Sequence, residues 1–289
     1  MPGPRVLVID AYAPEGRAAL RDAGGSEAGR LYARMLRRIA PDVRLEVAYP
    51  ADPAPELPAR ADLAGYDGVA WTGSSLTIHH DDDPRVARQI DLAAAAGRAG
   101  VPSFGSCWAA QVSVVAAGGR CARSSRGREF GIARRIALSD EGRRHPLFAN
   151  KPAAFDAFAS HEDEVARLPA RAARLAGNAW SRVQAVEVRL SRGRFWALQY
   201  HPEYDLHEIA SLCRLRRREL VGQGAFASAR DADAWIERAE ALHAQPDDGA
   251  LARELRVGPD LLDPDLRTRE VANWLASLQG DAQGARKAL

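Results

Sequence analysis

Cys107 lies in the run Phe104-Gly105-Ser106-Cys107-Trp108-Ala109-Ala110-Gln111. The residues before it, 102–105, read as a strand, and 111–117 as a helix. A cysteine on a sharp strand-to-helix turn is presented at the edge of a sheet, and small neighbours tolerate the strained backbone. The helix start beneath it favours the thiolate, and the next backbone amide can donate to an oxyanion. That is the equipment for attack on a carbonyl carbon. Cys121 and Cys213 lack this setting and are expected to be structural thiols.

A cysteine nucleophile needs a base to take and return its proton, and the base needs an acceptor to orient it. Tyr200-His201-Pro202-Glu203 ends the apolar run 195–200. His201 and Glu203 are two apart, so at a strand end their side chains point to one face. The carboxylate can then hold the imidazole in one tautomer. The chain order, Cys then His then Glu, separates this arrangement from the α/β-hydrolases, where the acid precedes the histidine.

The surrounding elements supply a scaffold that can hold these groups. Arg5-Val-Leu-Val-Ile-Asp10 is a continuous apolar run, the pattern of a strand buried on both faces of a parallel sheet. The stretch 26–39 reads as a helix with Ser26 as N-cap, 44–48 as a strand and 50–58 as a proline-rich loop. A third strand, 68–71, precedes Thr72-Gly73-Ser74-Ser75. Residues 85–96 read as a helix with Gly97 in the C-cap position. Alternating strand and helix implies α/β architecture, a mostly parallel sheet flanked by helices. From about 131 the texture changes to strands at 132–138, 154–159, 183–190 and 195–200, joined by shorter loops. The division expected is a domain over 1–225 and a helical C-terminal extension over 226–289, packed on the core through Trp235, Leu242, Leu251, Leu255, Val271, Trp274 and Leu278.

Composition excludes several function classes. The chain has 289 residues, 46% hydrophobic and 27% charged, with a net charge of +2. That is the make-up of a globular protein with no strong field for nucleic acid or an anionic membrane. Lysine occurs only at Lys151 and Lys287, and the arginine excess reads as composition bias. The charge run from Arg214 to Arg218 is expected to be a solvated helix face. Three cysteines without CxxC spacing argue against a disulfide framework and a zinc site. The N-terminus lacks a signal-peptide layout, and no apolar run reaches a membrane span, so a cytoplasmic location is expected. His79-His80-Asp81-Asp82-Asp83 is not expected to bind metal, because adjacent loop side chains rarely converge on one ion. Asp83-Pro84 reads instead as the cap of the next helix.

Taken together, Gly105-Ser106-Cys107-Trp108-Ala109-Ala110-Gln111 and His201-Pro202-Glu203 resemble the class I, triad-type glutamine amidotransferases. The signature of that family is G-x-C-x-G-x-Q with a distal H-P-E. The resemblance covers about 5–222. Gly127-Arg128-Glu129-Phe130-Gly131 and Ser160-His161-Glu162-Asp163-Glu164-Val165 are similar to motifs of the subgroup that contains the amidotransferase domain of GMP synthetase. The resemblance implies a flavodoxin-like fold and hydrolysis of a γ-glutamyl amide through a thioester on Cys107, with His201 and Glu203 completing the triad. It implies an oxyanion hole from the amides of Gly73 and Trp108, and places Gln111, Ser160 and His161 beside the substrate. It calls for a small γ-glutamyl substrate, while charge, hydropathy and residue spacing give the expectation of no metal or cofactor and of neither nucleic acid nor membrane as partner. The 79–83 loop, following Gly73, would border the site. In two respects the sequence departs from the pattern. Ala109 replaces the usual glycine, which would slow glutamine turnover or reshape the pocket, and no ATP-pyrophosphatase or phosphate-binding loop follows 222. The expected activities are therefore a glutaminase passing ammonia to a separate synthase subunit, or a γ-glutamyl hydrolase acting on a conjugate of a small amine or peptide. A catalytically silent binding module is the remaining alternative.

Overall fold

The computed structural model describes residues 3–80 and 82–287. Asp81, part of the acidic loop, lies outside the described residues. The strands are β1 (Arg5–Ile9), β2 (Arg44–Ala48), β3 (Gly68–Trp71), β4 (Ser103–Ser106), β5 (Arg120–Arg123), β6 (Glu129–Leu138), β7 (Ala154–His161), β8 (Asp163–Arg167), β9 (Ala172–Gly177), β10 (Ala185–Leu190) and β11 (Gly193–Leu198). The first helices are α1 (Pro14–Asp22), α2 (Ala28–Ile39), α3 (Pro84–Ala99), α4 (Trp108–Ala116) and α5 (Asp140–Arg144). They are followed by α6 (Leu206–Gly222), α7 (Ala229–Ala244), α8 (Gly249–Leu255), α9 (Pro259–Leu262), α10 (Pro264–Arg267) and α11 (Arg269–Lys287).

One nine-stranded sheet runs in the order β2-β1-β3-β4-β11-β10-β9-β6-β7. Its half from β2 to β11 is parallel, and the half from β11 to β7 is antiparallel. The short β5 and β8 form a separate antiparallel ribbon. The antiparallel half curls back on the parallel half, because the N–H of His201, just past β11, donates to the Phe158 carbonyl of β7 at 2.8 Å. Within the parallel half β1, β3 and β4 are buried on both faces, whereas β2 at the sheet edge exposes Arg44 and Glu46.

Two helix boundaries differ from the local signals. Helix α2 starts at Ala28 without a side-chain cap from its own flank. Ser26 instead gives its N–H to Glu208, and the Gly29 N–H is taken by the Asp10 carboxylate at 2.8 Å. A residue distant in sequence caps this helix, so no local pattern announces it. Gly97 is interior to α3, and Gly100, at φ 80°, is the left-handed C-cap. A Cβ on Gly97 would lie 2.5 Å from Leu190 Cβ, so its glycine serves close packing against β10. Asp83 does cap α3, accepting the Arg85 N–H.

The helices after Gly222 pack in two places. Helix α7 lies along α6, burying Ala232, Ile236, Ala239 and Leu242. Helix α11 covers one face of the parallel sheet, where Trp274 stacks on Phe104 with ring centroids 5.5 Å apart. Val271, Leu275 and Leu278 join the same core as Val6, Val8 and Ala70. At its start Glu270 is fully buried, ion-paired to Lys151 at 2.9 Å and hydrogen-bonded by the Tyr200 hydroxyl. Among the described residues no helix is long and apolar enough to cross a membrane.

Candidate active site

Ligands of open α/β sheets sit beyond the carboxyl ends of the parallel strands. Three neighbouring strands end together here. Trp71 of β3 pairs with Gly105 of β4, and Gly105 with Ala197 of β11, so Gly73, Cys107 and His201 all emerge at one edge. Cys107 sits between β4 and α4 with φ 52° and ψ −93°, a left-handed conformation costing about 1–3 kcal/mol for a residue with a side chain. Its N–H donates to the Leu198 carbonyl at 2.7 Å, which fixes the turn to β11. Glycine is needed at 105, where a Cβ would come within 2.4 Å of the Trp71 carbonyl oxygen and 2.6 Å of Ala109 Cβ. The Ala109 methyl is therefore spent in the buried packing under the elbow and does not line the pocket.

His201 Nδ1 and Glu203 Oε1 lie 2.7 Å apart, both side chains buried. The strand stops at Leu198 rather than Tyr200, and the pair stands in the segment beyond it. Ser106 donates to the same Glu203 oxygen at 2.9 Å, and its hydroxyl meets that of Tyr32 at 2.6 Å. Burial holds the Tyr32 phenol well above its ordinary value, so it stays protonated. The opposite face of the imidazole is fixed by Tyr204, whose ring stacks at 4.0 Å and 8°. The Cys107 thiol makes a long hydrogen bond, 3.9 Å, to the Ser160 carbonyl, and His201 Nε2 is buried without a partner. Burial alone would push the imidazole down. The Glu203 carboxylate and the adjacent Cys107 outweigh it and hold the imidazole up at about 9.

The side of the site next to β3 is Gly73. A Cβ there would stand 2.9 Å from His201 Cε1 and 3.7 Å from Cys107 Cβ. Among the described residues the backbone N–H groups of Gly73 and Trp108 donate to no acceptor. Cys107, Trp108, Gln111, Ser160 and His161 share a pocket of about 270 Å³. The Ser160 hydroxyl is buried and unpartnered. Gln111 reaches the Asp163 carbonyl at 3.4 Å. His161 spends both ring nitrogens internally, Nδ1 on the Asp163 carbonyl at 3.0 Å and Nε2 on Glu129 at 2.8 Å. Its ring therefore braces the pocket wall and has no nitrogen left for a ligand. His79 and His80 also line the pocket, and His79 pairs with Asp163 at 3.2 Å. Among the described residues no cluster of three or more His, Cys, Asp or Glu side chains could hold a metal ion.

Four contributors escape a reading by motif. Ser106 is in the elbow but gives no sign of its bond to Glu203. Tyr32 and Tyr204 reach the site only through packing. Arg216, in the run expected to be a solvated face, lines the pocket. Cys121 and Cys213 are buried, with thiols pushed up to about 12 by desolvation, as inert structural cysteines should be.

The class-I glutamine amidotransferase profile matches residues 32–212. A gamma-glutamyl-L-1-hydroxyisopropylamide hydrolase from Pseudomonas sp. is 33% identical over 280 residues, 95% of this chain and 92% of that protein. A GMP synthase from Christiangramia forsetii is 31% identical over 62% of this chain, which spans only 31% of that longer protein. In fold, a glutamine amidotransferase from Thermotoga maritima superposes with a TM-score of 0.63 at 18% identity, covering 93% of this chain and 98% of its own. The chain belongs to the class-I glutamine amidotransferase family. It is an enzyme of the glutaminase or γ-glutamyl hydrolase kind, acting on a γ-glutamyl amide.

Proposed function

We propose that this protein is a free-standing γ-glutamyl hydrolase that cleaves the γ-glutamyl conjugate of a small amine, using Cys107, His201 and Glu203. The observation that carries the chemistry is the buried His201–Glu203 pair at 2.7 Å, emerging beside a cysteine on a strained elbow. The Cys107 thiolate attacks the γ-carboxamide carbon and forms a C–S bond. The oxyanion is received by the amides of Gly73 and Trp108. His201 protonates the amine as the C–N bond breaks, and the γ-glutamyl thioester remains. Water, deprotonated by His201, then releases glutamate and restores the thiol. Glu203 steadies the imidazolium at both stages. In this reading Gln111 and the unpartnered Ser160 hydroxyl, both lining the pocket, meet the glutamyl group.

The hydrolase reading is favoured because the Pseudomonas relative matches across the C-terminal helices as well. A second reading, a glutaminase subunit feeding ammonia to a separate synthase chain, draws on the GMP synthase relatives. The deciding measurement compares kcat/KM for γ-glutamyl conjugates of small amino alcohols with that for glutamine, using purified protein. Conjugates are expected to be turned over faster, and a clear preference for glutamine would overturn the hydrolase reading.

The His201 geometry also sets an alkaline limit. Departure of the amine needs the imidazolium, which is held up to about 9 by Glu203 and Cys107 against the effect of burial. A group raised in this way keeps its proton through neutral pH and loses it as pH climbs past that value. The log of kcat/KM should therefore fall with unit slope above about pH 9. A profile still rising at that pH would contradict this role.

A further inference from the structure

Helix α6 follows the His201–Glu203 segment and brings Arg216 back to the pocket that contains Cys107. Three guanidinium groups and two carboxylates form a chain along this wall. Arg123 pairs with Glu162 at 2.5 Å, and Arg128 with Glu162 at 3.7 Å and with Glu219 at 2.8 Å. Arg216 then meets Glu219 at 3.3 Å. Burial would push the Glu219 carboxyl up, but Arg128 and Arg216 hold it low, so it stays ionised. The chain carries one positive charge more than it neutralises.

Most of the spare donors belong to Arg216. Arg128 commits its Nε and one terminal nitrogen to carboxylates, and Arg123 is largely exposed, at 70%. Arg216 is well covered, with 18% of its side chain exposed. Its ion pair to Glu219 is long, and its Nε is buried without a partner. A guanidinium has five N–H donors in a planar fork that matches a carboxylate. A γ-glutamyl group differs from a plain acyl chain of the same length by its α-ammonium and α-carboxylate.

We propose that Arg216 receives the α-carboxylate of the substrate and thereby restricts the enzyme to amides whose acyl part is a free α-amino acid. This rests on the γ-glutamyl reading above. Arg216 is a specificity-determining residue and has no part in the bond-breaking steps.

The test pairs γ-glutamyl-p-nitroanilide with 4-aminobutyryl-p-nitroanilide, which lacks only the α-carboxylate, in the wild type and in Arg216→Gln and Arg216→Lys. Arg216→Gln should raise KM for the γ-glutamyl substrate on the order of tenfold to a hundredfold, as expected for losing a hydrogen bond to a charged group. It should leave kcat nearly unchanged and leave the des-carboxy substrate unaffected, and Arg216→Lys should recover part of the loss. An equal loss on both substrates would show that Arg216 only braces Glu219 and would overturn the proposal, as would no loss on either. Binding of L-glutamate and of 4-aminobutyrate is followed by calorimetry in parallel, because it needs no turnover. Weaker binding of glutamate alone in Arg216→Gln supports the proposal even if the wild type cleaves no γ-glutamyl amide, in which case it is the hydrolase reading that fails. If the wild type binds the two acids equally, Arg216 does not read the carboxylate.

Discussion

Cys107→Ala is expected to lower kcat/KM for a γ-glutamyl amide by at least about ten-thousand-fold, the scale on which triad enzymes lose their nucleophile. The thermal midpoint should hardly move, because the side chain removed is small and its backbone is held by the N–H bond to Leu198. Cys107→Ser should be nearly as inactive. A hydroxyl is a far weaker acid than a thiol, and one histidine in this geometry is asked to serve a thiolate. Neither remaining cysteine can substitute, since burial keeps both thiols neutral. An electrophilic glutamine analogue should accordingly label one cysteine per chain in the wild type and none in either variant. Labelling that persists in Cys107→Ala, or residual activity above about one per cent, would assign the chemistry elsewhere.

The second large effect concerns stability. Glu270 accepts from Lys151 and from the Tyr200 hydroxyl, and the carboxylate and the ammonium are both almost wholly buried. Glu270→Ala leaves the lysine charge without its counter-ion inside the protein, at a cost of about 3–5 kcal/mol. For a chain of this size that is on the order of 10 °C in Tm. Tyr200 immediately precedes His201, so the C-terminal helix is fastened directly beneath the His201–Glu203 segment. Replacing both partners, Lys151→Met with Glu270→Leu, should recover most of the loss, because an apolar pair of similar volume avoids the desolvation of two charges. A Tm shift below about 2 °C for Glu270→Ala alone would refute the account.

The legible parts of this fold are those whose signal is local. Continuous apolar runs mark β1 and β3 because both faces of a parallel strand are covered. Strands β2 and β3 begin and end where their sequence pattern does. The short β5, β8 and β9 carry no such signal. Arg-Cys-Ala-Arg, Asp-Glu-Val-Ala-Arg and Ala-Ala-Arg-Leu-Ala-Gly carry little β-propensity, and their pairing partners hold them in place. Of the three, only β9 belongs to the nine-stranded sheet, where it joins β10 to β6, and β5 and β8 form their own ribbon. The cap of α2 by Asp10 and the packing role of Gly97 were hidden for the same reason, since each depends on a residue from another element.

At the site, sequence alone pointed to Cys107, His201 and Glu203 as the candidate nucleophile, base and orienting acid. Elbow geometry and the His-Pro-Glu spacing are short-range patterns, and they hold whatever surrounds them. Tertiary structure decided what supports and what surrounds that triad. It placed Ser106, Tyr32 and Tyr204 around the His201–Glu203 pair, and it closed both nitrogens of His161. It also turned one arginine of an apparently solvated run into the pocket. The face a helix presents to a cavity depends on how its neighbours pack against it, and residue types along the helix do not encode that.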